Sequence, residues 1–161
     1  MSKIPAMYTN MLACYPALLA RLAGVPGVKQ VLEAQDLAAV AGERKVLPAD
    51  GAVYVVFDGF TPENETAARK RLAQERLSFS LILAKRQYTP NRLQFGADGV
   101  GETLTAIKSA FQGWTPKDSD GLALALTPFQ AAQALSIYYH DGYAFFPVRF
   151  TTTVNIQLQD D

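Results

Sequence analysis

Four groups of residues in this 161-residue chain have types and spacings that could do chemistry. The first is GADGVGE, Gly96 to Glu102, a glycine-rich loop running into a helix, the geometry in which free backbone amides can cradle a phosphate. Its spacing matches neither the dinucleotide fingerprint nor the P-loop, and no P-loop lysine follows, so a plain helix start is the better reading. The second is His140 beside Asp141, because a carboxylate can raise and orient an imidazole for proton transfer. Adjacent residues on a hairpin tip point away from each other, and no serine or cysteine is placed by sequence as a nucleophile. Catalysis is therefore not expected. The third, Cys14, is flanked by apolar residues and reads as a small buried hydrophobe. The fourth is the carboxylate set Asp58, Glu63 and Glu65, which reads as a solvated turn after a strand and matches the spacing of no metal loop.

The whole composition narrows the possibilities further. A mass of 17.5 kDa suits one domain, and 49% hydrophobic with 19% charged residues suits a globular protein with a sizeable core. Fifteen basic residues balance fifteen acidic ones, so nucleic acid is not the leading partner, since affinity for phosphates needs a basic surface. One cysteine and one histidine exclude an internal disulfide and the His clusters of most zinc enzymes. No metal, no organic cofactor and no enzymatic activity are expected. The uncharged stretch between Lys3 and Arg21 carries Thr9, Asn10 and Pro16, which suits neither a membrane span nor a secretory signal. A cytoplasmic origin and no membrane partner follow as expectations.

The elements that must position these groups can be read from periodicity. Leu12, Leu18, Leu19 and Leu22 share a helical face, Pro16 marks a first turn, and Gly24 stops a helix whose firm part is Ala17 to Ala23. Val28 to Leu37 begins as a strand and turns helical at Asp36. Gly51 to Phe60 is the clearest strand, with both faces buried, and Leu77 to Arg86 is another, with Leu77, Phe79, Leu81 and Leu83 on one face and Ser78 and Ser80 on the other. Ala67 to Arg76 stays ambiguous between helix and strand. Phe95 to Trp114 holds the strongest helix, Gly99 to Gln112, which docks through Val100, Leu104, Ile107 and Phe111 and ends at Gly113. LALALTPFQ and the segment after it alternate like strands, and His140, Asp141 and Gly142 turn a hairpin between two long ones. The expected fold is α+β, a single domain with one mostly antiparallel, mixed sheet and helices packed against it.

Charge is distributed unevenly. Arg69, Lys70, Arg71, Arg76, Lys85, Arg86 and Arg92 make the middle of the chain basic, whereas Gly121 to Gln159 has only Asp141 and Arg149 as charges. Solvated strands and core strands would explain both halves. An exposed, uncharged aromatic hairpin would instead need a partner, because interface cores are depleted of charge and rich in Tyr and Phe. Burial and subunit contact both stay open for the run Ile137, Tyr138, Tyr139, Tyr143, Phe145 and Phe146.

The order of segments resembles the tail terminator (tail completion) proteins of long-tailed bacteriophages and Mu-like prophages. The resemblance lies in LLARLAGVPGVKQV, LPADGAVYVVFDG, SFSLILAKR, GETLTAIKSAFQGWTP and FFPVRFTTTVNIQ, covers Ala17 to Gln157, and is most specific in IKSAFQGWTP and VRFTTTVNI. It implies a structural protein of the virion tail, at the neck end, assembled in the host cytoplasm. Such a protein forms a hexameric ring that caps the finished tail tube, terminates tube polymerisation and offers a head-tail joining surface. The implied partners are further copies of the chain, the major tail tube protein, the head-tail connector (neck) protein, and DNA passing through the channel without sequence-specific binding. Tyr138, Tyr139, Tyr143, Phe145, Arg69, Lys70, Arg71 and Arg76 are the candidate interface residues, and the basic middle segment that holds the last four could line or border the channel. The competing readings are another neck or minor tail protein of similar fold, and a small anion-binding or enzymatic α+β domain using GADGVG and His140.

Overall fold

Alternating apolar residues on three neighbouring strands give the chain its frame, and the strands are long because their alternation is long. The computed structural model describes residues 4–35, 49–63, 72–86, 99–140 and 142–158. Strand β1 (Gln30–Glu33) pairs in parallel with β2 (Ala52–Pro62), and β2 runs antiparallel to β3 (Leu72–Arg86). β3 runs antiparallel to β6 (Tyr143–Gln157), whose other edge takes two short strands, β4 (Gln130–Ala132) and β5 (Tyr138–His140). The result is a six-stranded mixed sheet in the order β1-β2-β3-β6-β4, with β5 also on β6. With helices α1 (Tyr15–Ala23) and α2 (Val100–Phe111) it makes an α+β domain.

One face of the sheet carries Val53 and Val55 of β2, Leu77, Phe79, Leu81 and Leu83 of β3, and Phe146, Val148, Phe150 and Val154 of β6. Leu18 and Leu22 of α1 and Val100, Ile107 and Phe111 of α2 cover it. Phe79, Phe111, Phe129 and Trp114 form a connected aromatic group there, with ring centroids 5.0 to 6.2 Å apart. Each such side chain stabilises the fold by roughly 1.5–3 kcal/mol through removal from water. The opposite face buries Ala52, Tyr54, Val56, Ile82, Ala84 and Phe145. Both faces of β2 are thus covered over Ala52 to Val56, as its continuous apolar run predicts.

Several expectations from the sequence are corrected. Pro16 does sit in the first turn of α1, but the helix begins at Tyr15. In α2 the fully docked stripe is Val100, Thr103, Ile107 and Phe111, while Leu104 is only half-buried. A helix advances about 100° per residue, so the stripe passes through either the i+3 or the i+4 position. Gly27 decides between them: its φ is +90°, and a Cβ there would overlap Thr103. The backbone passes too close at that point for a leucine.

Residues 72 to 76, ambiguous in the sequence, extend β3 as strand. LALALTPFQ is not a strand over most of its length. Leu124 and Leu126 donate their N–H groups to the carbonyls of Pro116 and Thr153, at 2.8 and 2.7 Å, and Leu124, Ala125 and Phe129 fill the core from an irregular path. The hairpin at His140 has one long arm of 15 residues and one short arm of 3 rather than two long ones. Asp36 and the helix expected after it, Ala67 to Arg71, and Gly96 to Asp98 lie outside the described residues.

Candidate assembly surface

Pro147 explains the short arm. Thr153 turns both backbone groups away from β3: its carbonyl accepts the Leu126 N–H, and its N–H donates to Thr127 Oγ1 at 3.0 Å. Strand residues alternate in this respect, and the β3–β6 register is unbroken from Tyr143 to Gln157. Every odd-numbered residue of β6 therefore addresses the β4 and β5 side, Pro147 included. Proline has no N–H to give there. The partner chain leaves the ladder at that point, so that residues 133–137 run opposite Phe146, Pro147 and Val148, between the pairs Ala132–Arg149 and Tyr138–Phe145.

The same alternation sets the edge beyond β5. Tyr143 and Phe145 face Tyr138 and His140 across the ladder, so the N–H and C=O of Tyr139 point away from β6. Leu135, Ile137, Tyr138 and Tyr139 are between 41% and 48% exposed, four large apolar or aromatic residues open to solvent in one short stretch. Ile137 and Tyr138 are both open, although neighbouring strand residues point to opposite faces. Neither face of this short arm is core.

The candidate residues separate accordingly. Tyr138 and Tyr139 lie on the open edge, and Tyr143 is half-buried. Phe145 is fully buried beneath them, its ring 6.4 Å from that of Tyr138 and 6.3 Å from that of Tyr143, so it supports the patch and is not displayed by it. Arg76 is exposed on β3 and pairs with Glu63. Arg69, Lys70 and Arg71 lie outside the described residues, in the connection from β2 to β3. Lys85 is not part of an open basic surface: it is 7% exposed, with its ammonium 3.7 Å from Asp50.

The structure adds a polar group the sequence reading missed. Asp58 does not sit in a turn after β2. It occupies a bulge inside the strand, between Phe57 and Gly59, where Gly59 takes φ +109°. The bulge aims the carboxylate across the sheet. Asp58 Oδ2 accepts from Ser80 Oγ at 2.6 Å and from Arg149 Nε at 3.2 Å, and the Arg149 guanidinium also donates to the carbonyl of Gln133 at 3.3 Å. A glycine inside an otherwise continuous strand pattern was the available signal for the bulge.

Groups considered for catalysis are dispersed. Burial pushes the Cys14 thiol up to about 11, the mark of an inert core cysteine rather than a nucleophile. Gly99, at φ +71°, starts α2 with Glu102 in its first turn, and that negative charge occupies the region where a helix start would attract an anion. A cleft of about 200 Å³ is lined by Leu12, Tyr15, Val55, Phe57 and Glu33, but the Glu33 carboxylate already accepts the Tyr15 hydroxyl at 2.9 Å. Burial above all, and then that bond, raise the Tyr15 phenol well above its usual range. Among the described residues no three His, Cys, Asp or Glu side chains converge as a metal site, and no helix is long and apolar enough to cross a membrane.

The described residues thus combine a buried aromatic core with an open edge that displays Leu135, Ile137, Tyr138 and Tyr139. Residues 8–160 match the family model described as phage tail terminator protein, and the chain belongs to that family. Its role is structural, in the tail of a bacteriophage virion. A search of curated proteins found no match.

Proposed function

We propose that this protein closes a ring on the end of the completed tail tube, stops tube polymerisation there, and presents the surface to which the head-tail connector binds. The observation that carries the reading is the edge made by Leu135, Ile137, Tyr138 and Tyr139, exposed on both faces and free of ionised side chains. A monomer gains nothing from such an edge and risks aggregation through it, whereas neighbours in a closed head-to-tail ring cover it. A formal net charge of zero lets copies approach without mutual repulsion. The ring order, six, is taken from the resemblance to other tail terminators. Arg69, Lys70 and Arg71 would border the channel and attract DNA without sequence preference.

Tyr139→Pro tests this reading. It removes an N–H that points away from β6, a position where an edge strand tolerates proline, so the monomer should fold normally. Assembly with copies or with tail tubes should be lost. A Tyr139→Pro protein that caps tails of normal length would remove the edge from the interface.

A further inference from the structure

Arg149 is an ionised residue in a segment, Gly121 to Gln159, whose only other charge by sequence is Asp141, and its side chain is only 26% exposed. Partly burying a guanidinium is costly, and replacing such ion pairs by apolar residues is often neutral or stabilising, so the pair is weak grounds for stability. What it does have is geometry. Asp58 is carried on a bulge, steadied by the Ser80 hydroxyl at 2.6 Å, and holds Arg149 at 3.2 Å. Arg149 in turn reaches the Gln133 carbonyl at 3.3 Å. Gln133 is the first residue after β4, where the chain leaves the ladder opposite Pro147. The bond from Arg149 thus holds the root of the segment that displays Leu135, Ile137, Tyr138 and Tyr139.

We propose that the Asp58–Arg149 pair is a positioning strut: it fixes the path of residues 133–139 across the gap left by Pro147, so that the exposed edge is already ordered when a partner meets it. A preordered edge forfeits less conformational entropy on binding than a loose one. The proposal rests on the reading of that edge as the assembly surface. Asp58 and Arg149 themselves are positioning residues and need touch no partner.

The test uses the full chain, with backbone hydrogen exchange and with native mass spectrometry in the presence of tail tubes. Arg149→Met keeps the length of the stem and removes the fork. Exchange at Ala132 and Tyr138, whose amides pair with β6 on either side of the gap, should accelerate about tenfold or more, the scale of one lost charge-assisted hydrogen bond. Exchange in Phe79 to Leu83 should be unchanged, and the assembled fraction should fall. Arg149→Lys, which keeps the charge without the fork, should recover part of both losses. If Arg149→Met does not fold, Asp58→Asn carries the test, with the same acceleration expected. Unchanged exchange at Ala132 and Tyr138, or an acceleration spread evenly over β2, β3 and β6, would overturn the strut. Tyr139→Asp separates the two ideas. If it abolishes assembly while Arg149→Met alters neither readout, only the strut is lost; if it leaves assembly intact, the surface reading falls and the strut with it.

Discussion

Gln112, just past the end of α2, accepts the Ala131 N–H through its side-chain oxygen at 2.8 Å, which ties the helix end directly to β4. The next two residues continue the clamp: Gly113 donates to the Phe129 carbonyl at 2.8 Å, and Phe129 donates to that of Trp114 at 2.7 Å. Gly113 can do so because it takes φ +78°. Arg21 of α1 completes the corner, donating to the Ala110 carbonyl at 2.6 Å and lying 4.9 Å over the Trp114 ring. IKSAFQGWTP is thus the joint that hangs β4, and the exposed edge after it, on the core. Gln112→Ala should cost about 1 kcal/mol, in the range of one neutral hydrogen bond, and should speed exchange at Ala131. Unaltered exchange at Ala131 would remove Gln112 from the joint.

Ile107 is fully buried whereas Leu104 is not, so truncating the two should differ. Ile107→Ala should destabilise by about 2–5 kcal/mol, and Leu104→Ala by distinctly less. Urea denaturation midpoints decide the order, and the reverse order would place the docking stripe on the other flank of α2.

Gly27→Ala should be damaging for two reasons. A left-handed φ of +90° costs a non-glycine residue roughly 1–2 kcal/mol, and the new methyl meets Thr103. Thr103→Ala in the same chain should recover the steric part and leave the backbone part. Full recovery in thermal unfolding would show that the backbone conformation there is not strained.

Alkali should destabilise the protein through Cys14. Its thiol rises from the ordinary 9.0 to about 11 because burial penalises the thiolate, so the native state holds its proton when the unfolded state has lost it. The resulting stability is intact below about pH 9 and is lost as pH climbs through about 11. Tyr15, raised by burial and by Glu33, adds to the loss in the same direction. Stability curves of wild type and Cys14→Ala should converge above pH 9, and parallel curves through that window would contradict the assignment.

Much of the frame was legible because one physical signal dominated it. Leu77, Phe79, Leu81 and Leu83 alternate with Ser78 and Ser80, and the structure puts the four apolar residues in a single core face. Where two causes produce the same pattern, the sequence reading failed. Alternation in LALALTPFQ reflects an irregular path that plugs the core, and Asp58-Gly59 marks a bulge although the same pair commonly makes a turn. Pro147 cuts β5 short because of the side to which its nitrogen points, which is known only once the register with β3 is known. The candidate surface divided similarly. Tyr138 and Tyr139 stand on the open edge, Phe145 lies beneath it, and Arg149 was visible as one of two charges in its segment whereas its partners Asp58 and Gln133 emerged only with the fold.

The proposed function has this chain cap tail tubes as a closed ring of copies. Native mass spectrometry of the purified protein, with and without tail tubes, measures it directly. The expected species is a single closed oligomer, of six copies by the resemblance to other tail terminators, bound at one end of each tube and lost in Tyr139→Pro. A protein that stays monomeric in the presence of tubes while those tubes keep growing would contradict it.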